Sequence, residues 1–169
     1  AAGVIVGYGA HPGSTTHEVL GIEVPMATAI ADAAAARRDY LDETGGRYVH
    51  LVAYGDVMTG GDAAKAIACG ADAVMLGEPM ALAAEAPAQG WYWDPTVSHP
   101  KLPRSWLHRT RDQLDADGDA LPALSEVLLG PTADASGARN IFGALRRAMA
   151  KCGYSSVKEF QKVELTVAG

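Results

Sequence analysis

Two glycine turns, each at the end of a short apolar run, are the segments of this chain best suited to binding a ligand. One run, 48–54, passes into Gly55, and the next, 73–77, closes on Gly77. A glycine turn that opens onto a helix leaves outward-facing backbone N–H groups, and such groups bind phosphate. In an eight-stranded α/β barrel the loops after the last two strands usually supply this site. The spacing therefore predicts that these two turns form a phosphate-binding site.

The composition narrows the class of partner. The chain has 169 residues, 49% of them hydrophobic and 20% charged, with a formal net charge of −6. This length supports one domain with a core. Without a basic stripe or an apolar run long enough to span a bilayer, we expect neither nucleic acid nor membrane as a partner. The two cysteines, Cys69 and Cys152, are predicted to be buried, reduced thiols, which favours a cytoplasmic location.

The elements that position the two turns alternate between strand and helix. The predicted strands are 3–7, 48–54 and 73–77, and the helices between and after them are 26–44, 62–69 and 79–86. This β-α-β-α-β-α order predicts a parallel sheet with right-handed crossovers. Further along the chain, the pattern predicts helices at 121–129, 140–151 and 155–160 and a terminal strand at 163–167.

Three parallel strands cannot close a barrel, and as an open sheet they expose two apolar edges. Because the chain also starts almost at a buried-type strand, we expect it to be a piece of a longer protein. We divide it into a β/α segment at 1–87, a flap-like insertion at 88–138 and C-terminal helices with a tail at 139–169. The insertion contains all three tryptophans and has no sustained hydrophobic period.

Three separated motifs connect this chain to a known family. They are Ser-Thr-Thr-His-Glu-Val-Leu-Gly with Val-Pro-Met-Ala-Thr-Ala at 14–29, the strand–glycine unit at 52–77, and Asn-Ile-Phe-Gly-Ala-Leu-Arg-Arg-Ala-Met with the residues after it at 140–160. In this order they resemble the IMP dehydrogenase/GMP reductase family over most of the chain except 88–138. The resemblance implies an α/β fold, the C-terminal part of a (β/α)8 TIM barrel from about the sixth strand onward.

The resemblance implies a catalytic loop after the first strand. Ser14 stands where the family has its nucleophilic cysteine, and Thr16 matches the threonine that assists in that loop. A thiolate attacks C2 of a purine at neutral pH, whereas a serine hydroxyl needs a base, for which His11 and His17 are the nearby candidates. A flap arginine activates water in the dehydrogenases, and Arg104 is the candidate for that role.

The resemblance also implies a set of substrate-binding residues: Gly13, Tyr54, Gly55, Asp56, Gly77 and Glu78. Three of them depart from the family pattern. Tyr54 replaces an aspartate that binds the ribose hydroxyls, Asp56 replaces a glycine, and Glu78 replaces a small neutral residue. Two carboxylates beside a phosphate would each repel it by roughly a kcal/mol or more.

These matches predict an oxidoreductase that transfers a hydride between C2 of a purine nucleotide, IMP or GMP, and NAD or NADP. The resemblance also implies a potassium ion, although His11 stands where the family has glycine in that loop. The expected protein partners are other copies of the chain, as a tetramer, or the N-terminal half of the barrel.

Two alternatives remain open. Loss of the cysteine nucleophile is compatible with a non-catalytic paralogue that has a scaffold or regulatory role. The phosphate loops also resemble those of FMN-dependent α/β-barrel oxidoreductases, although the segment 15–29 does not fit them.

Overall fold

A three-stranded parallel sheet with the order β1-β2-β3 organises the fold. The computed structural model describes residues 1–7, 20–22, 24–55, 57–87, 90–92, 108–109 and 120–166. The strands are β1 (Gly3–Val6), β2 (His50–Tyr54) and β3 (Ala73–Met75), connected by α1 (Met26–Glu43) and α2 (Gly60–Ala68). This confirms the predicted parallel strand–helix alternation.

Six further elements follow this unit along the chain. They are α3 (Glu78–Ala81), the antiparallel pair β4 (Trp91–Tyr92) and β5 (His108–Arg109), α4 (Leu124–Leu129), α5 (Ile141–Lys151) and α6 (Val157–Phe160). Among the helices that the structure describes, none combines the length and the apolar character that crossing a membrane requires.

The strand register brings the carboxyl ends of the three strands to one edge. Val6 pairs with Ala53, and Tyr54 pairs with Met75. Parallel neighbours lie about 4.8 Å apart, so the segments that leave β2 and β3 start side by side. The two glycine turns singled out in the sequence therefore belong to one edge of the sheet.

The two faces of the sheet have different surroundings. Ala53, which is fully buried, packs under the helices in a core that also contains Ile30, Ile67 and Met149. The opposite face is open, since 56% of Ile5 and 39% of Met75 are exposed. Side chains alternate between faces along a strand, so every second residue of β2 serves the helix-side core.

Helix α2 packs against α5 at very close range, and a glycine makes that possible. A Cβ added to Gly60 would lie 2.3 Å from the Cβ of Ala144 and 2.9 Å from the carbonyl oxygen of Ile141. Helix α5 begins after Asn140, whose side chain accepts a hydrogen bond of 3.1 Å from the N–H of Gly143. The two helices cover the sheet face beneath them.

The predicted terminal strand is wrong for 163–166, the part of it that the structure describes. Val163 follows α6 in a turn, and its N–H donates to the Phe160 carbonyl at 3.1 Å. The alternating apolar residues favour extended backbone, but a strand also needs a partner edge. Here Val163 packs on the core while Leu165 is 54% exposed.

The prediction that both cysteines are buried is also wrong. Cys152 is exposed and Cys69 is partly buried, and both are free thiols. Cys152 is the C-cap of α5, at the exposed end of that helix. Burial raises the pKa of the Cys69 thiol, so this sulfur is less nucleophilic than an ordinary cysteine at neutral pH.

Candidate functional site

The candidate site lies at the carboxyl edge of β2 and β3. Tyr54, half-buried, is the last residue of β2, and buried Gly55 follows it. Gly77 is the N-cap of α3, and Glu78, only 5% exposed, is the first residue of that helix. The structure thus places four of the predicted substrate-binding residues at one edge, because Tyr54 is paired with Met75.

The other predicted site residues are not among those that the structure describes. They are Gly13, Ser14, Thr16, Asp56 and Arg104. Their proposed roles remain predictions. Gly7, the residue after β1, is the last described position before the predicted catalytic loop.

Gly7 fixes where that loop starts. A Cβ added to Gly7 would lie 2.3 Å from the carbonyl oxygen of Tyr54 and 3.3 Å from its Cδ1 atom. Real Cβ atoms do not approach that closely, so only glycine allows β1 to end against Tyr54. The chain therefore enters the predicted catalytic loop directly beside the first residue of the candidate site.

Gly55 turns the chain out of β2. Its φ is +131°, a value that residues with a side chain rarely adopt. This backbone conformation explains why the apolar strand ends at a glycine. It also explains why the sequence pattern predicted the end of β2. The turn directs the segment after β2 towards Thr59, where α2 begins.

The first turn of α3 offers few backbone donors to a ligand. Pro79 is fully buried and has no N–H, and the N–H of Met80 donates to the Gly77 carbonyl at 3.0 Å. Gly77 provides no side-chain cap. The first turn of α3 thus lacks two N–H donors that an anion-binding turn would present, those of Pro79 and Met80, and Glu78 adds a buried carboxylate.

Helix α2 also uses its N-terminal donors internally. The Thr59 hydroxyl accepts from the N–H of Asp62 at 3.2 Å, and the Asp62 carboxylate accepts from the N–H of Thr59 at 3.0 Å. The N–H of Gly60 donates to the Gly137 carbonyl at 3.0 Å. This reciprocal capping box holds the end of the β2–α2 connection.

The Asp62 carboxylate at this cap is ionised at neutral pH. Burial alone would raise the pKa of Asp62, but hydrogen bonds from Lys65 and Thr59 outweigh burial and keep the pKa below its ordinary value. The Lys65 Nζ lies 2.9 Å from the carboxylate. The cap is therefore intact at neutral pH.

Replacing Thr59 by alanine is expected to lower the free energy of unfolding of the full-length protein by about 1 kcal/mol, because the capping acceptor is lost. Urea unfolding measures this loss. Thr59→Ser keeps the hydroxyl and is the matched control, with a stability close to wild type. Equal losses in both variants would show that the methyl group, rather than the cap, matters.

A cavity of about 200 Å³ lies between α1 and α2, on the helix side of the sheet. Its floor consists of small residues, including Ala53, Gly55 and Ala66, and the Asp62–Lys65 pair lies at its rim. The predictions from the sequence do not include this cavity. The sequence signal for such a cavity is a cluster of alanine and glycine at positions between α1 and α2.

A polar network, which the sequence-based predictions also do not include, lies at the opposite, amino-terminal end of the sheet. The Asp72 carboxylate accepts from the Arg37 guanidinium at 2.7 Å, from the Leu51 N–H at 2.8 Å and from the Tyr48 hydroxyl at 2.6 Å. Lys158 contacts the same carboxylate and the Tyr48 hydroxyl. Since this end lies away from the glycine turns, the network is structural. An aspartate directly before β3 was its only sequence signal.

Neither implied cofactor finds its site among the described residues. No group of three or more His, Cys, Asp or Glu within them could hold a metal ion. The loop expected to bind potassium lies outside the described residues. Glu78 lies at the predicted substrate end of this edge, and no contact of the described residues marks where a nicotinamide dinucleotide would bind, so we derive no chemical step through that cofactor.

Comparison with known proteins gives the family. Residues 1–97 match the IMP dehydrogenase / GMP reductase domain. Over its whole length the chain is 62% identical to an uncharacterised oxidoreductase of Mycobacterium tuberculosis, covering 44% of that protein. It is 32% identical to the inosine-5'-monophosphate dehydrogenase of Aquifex aeolicus, covering 100% of this chain and 36% of that protein.

A solved structure agrees with these matches. The crystal structure of an IMP dehydrogenase/GMP reductase-like protein from Corynebacterium glutamicum is 50% identical to this chain, with a TM-score of 0.86. The likeness covers 99% of this chain and 42% of that one, so the chain spans less than half the length of these relatives. The predicted fold class, the C-terminal part of a TIM barrel from about the sixth strand, is confirmed. From the matched segment and the structural likeness together, the chain belongs to the IMP dehydrogenase/GMP reductase family.

Proposed function

We propose that this chain is part of an oxidoreductase that transfers a hydride between C2 of a purine, as IMP or GMP, and NAD or NADP. One observation carries the proposal. Gly55 and Gly77 turn out of adjacent parallel strands at the same edge, inside the segment that matches the family. Loops at this edge of a barrel are where ligands bind.

The chain's own residues would act on the purine. Ser14 adds to C2 through its oxygen, its proton passing to a nearby base such as His11 or His17, and Thr16 assists. A bound nicotinamide cofactor would supply the acceptor for the hydride that leaves C2. Arg104 would then activate a water, whose oxygen replaces the serine oxygen at C2 while the serine oxygen takes its proton back from the base.

The first test is ligand binding to the full-length protein. We expect titration calorimetry to detect IMP or GMP and to detect no FMN. Binding of FMN alone would replace the proposal by an FMN-dependent barrel oxidoreductase. Binding of none of the three would contradict both enzymatic alternatives and support a non-catalytic paralogue.

Replacing Ser14 by cysteine is expected to raise the rate of NAD reduction with IMP by at least about tenfold, because a thiolate attacks C2 without a strong base. The measurement is nicotinamide absorbance at saturating substrate. Ser14→Ala is the matched control and should be no faster than wild type. A rate unchanged in Ser14→Cys would mean that this position does not hold the nucleophile.

The non-catalytic alternative has one structural feature in its favour. Glu78 is buried at the start of α3, where a carboxylate opposes binding of an anionic nucleotide. That alternative predicts a folded homo-oligomer, such as a tetramer, that binds no purine. Size-exclusion chromatography with light scattering, combined with the calorimetry, separates it from the enzymatic proposal.

A further inference from the structure

The cavity between α1 and α2 is larger than the voids that close packing usually leaves in a protein. Its volume is about 200 Å³, whereas protein interiors contain few voids larger than a water molecule. Ala53 of β2 and Ala66 of α2 line it with small side chains, and Met26 and Ile30 of α1 also line it. The space can therefore hold a small molecule rather than a single water.

The lining residues give this cavity an apolar and electrically balanced surface. Among those that the structure describes, the side chains able to form hydrogen bonds are Asp62, Lys65 and Cys69, whose thiol is only a weak donor. The Lys65 Nζ lies 2.9 Å from the Asp62 carboxylate, so the two charges at the rim compensate each other. That carboxylate also accepts from the N–H and the hydroxyl of Thr59. The cavity thus offers little to a charged ligand.

Size and chemistry together define the class of ligand. An interior water needs polar partners, and apolar cavities of about 150 Å³ stay dry and bind benzene. The present cavity is somewhat larger, so a single aromatic ring or a short branched alkyl group fits it. Such a molecule would gain affinity because its apolar surface is removed from water.

We propose that this cavity is a second binding site, which takes a small uncharged apolar molecule the size of one aromatic ring. The inference is independent of the proposed function, because it requires neither a purine nor a nicotinamide cofactor. Gly55 lines the cavity and also turns the chain out of β2. A bound molecule would therefore contact the turn of the candidate site from the helix side of the sheet.

Methyl NMR of the full-length protein, titrated with benzene, tests the proposal. The isoleucine methyl signal of Ile30, which lines the cavity, should shift with saturation. Ile141 is buried in a different core cluster and does not line the cavity, so its signal should move much less. Benzoate has the same ring with a charge added and should bind at least about tenfold more weakly than benzene, because an unpaired charge is costly to bury.

A variant that fills the cavity gives the second measurement. Ala66→Leu should weaken benzene binding by at least about tenfold, because the leucine side chain occupies the space in which benzene would be buried. Ala36→Leu is the control and should leave the affinity unchanged. Ala36 is an exposed alanine of α1 that does not line the cavity.

The outcomes decide the inference without reference to the reaction. An Ile30 signal that does not move up to the solubility limit of benzene overturns it and leaves the proposed function standing. Tighter binding of benzoate than of benzene also overturns it, since the site would then select for charge. If Ala66→Leu does not fold, the contrast between Ile30 and Ile141 in the wild-type protein decides the matter.

Discussion

Replacing Asp72 by alanine should lower the free energy of unfolding of the full-length protein by about 3–5 kcal/mol, the usual cost of removing one partner of a buried ion pair. The Asp72 side chain is 9% exposed and that of Arg37 is 10% exposed. Without the carboxylate, the guanidinium loses its 2.7 Å partner while remaining buried. The N–H of Leu51 also loses its acceptor, which adds a desolvation cost.

Urea unfolding at neutral pH measures this effect. Asp39→Ala is the control, because Asp39 is an exposed aspartate on α1 and its loss should change stability by less than about 0.5 kcal/mol. Asp72→Asn keeps an acceptor without the charge and should fall between wild type and Asp72→Ala. A loss below about 1 kcal/mol in Asp72→Ala would show that water replaces the carboxylate.

The contribution of Asp72 to the free energy of unfolding depends on pH. Burial alone would raise the pKa of Asp72, but hydrogen bonds from Lys158, Tyr48 and the Leu51 N–H outweigh burial and hold the pKa well below its ordinary range. For a carboxyl with a depressed folded pKa, the contribution is fully present above the unfolded pKa of about 3.9 and declines as pH falls below it. The difference in stability between wild type and Asp72→Ala should therefore shrink from pH 6 to pH 3.

Replacing Gly60 by alanine should destabilise the protein by about 1–3 kcal/mol, although alanine is the better helix former. The new Cβ would lie 2.3 Å from the Ala144 Cβ and 2.9 Å from the Ile141 carbonyl oxygen, so α2 and α5 must separate. Gly61→Ala is the matched control, since its Cβ would lie 3.6 Å from the Thr59 hydroxyl oxygen. Urea unfolding should show this neighbour to be neutral or more stable by up to about 1 kcal/mol.

A double variant tests whether the contact between Gly60 and Ala144 causes the loss of stability in Gly60→Ala. Gly60→Ala combined with Ala144→Gly removes the Cβ–Cβ clash and should recover part of the stability, although the Ile141 carbonyl still limits the fit. The recovery appears as a coupling energy in a double-mutant cycle. If the losses of the two single variants simply add, the helix contact at Gly60 is not the cause.

The parts of the fold that were predictable are those governed by local pattern. The apolar runs before Gly55 and Gly77 identified β2 and β3, because a buried parallel strand is a short apolar run and a glycine with unusual backbone ends it. Helix α2 begins at Gly60, two residues before the predicted start at 62, because the Thr59 side chain caps it there. The threonine and aspartate three residues apart, Thr59 and Asp62, are the local sequence signal for this helix start.

The parts that were not predictable depend on residues far apart in the sequence. The Asp72 network joins α1, β2 and α6, so no local window contains it. The predicted strand at 163–167 had suitable residues, but whether an edge was available is a property of the assembled fold. For the site, the sequence predicted which residues share one sheet edge, while the burial of Glu78 required the structure.

The Asp72 network has a consequence for the order in which the chain can fold. Arg37 and Tyr48 are synthesised before Asp72, but Gln161, which donates to the Ala71 carbonyl at 2.7 Å, follows that carbonyl by 90 residues. During synthesis the sheet can form and pair Asp72 with Arg37 while the helix carrying Lys158 is still inside the ribosome. Closure of this end of the sheet then waits for α6, which makes the C-terminal segment the last part of the described fold to dock.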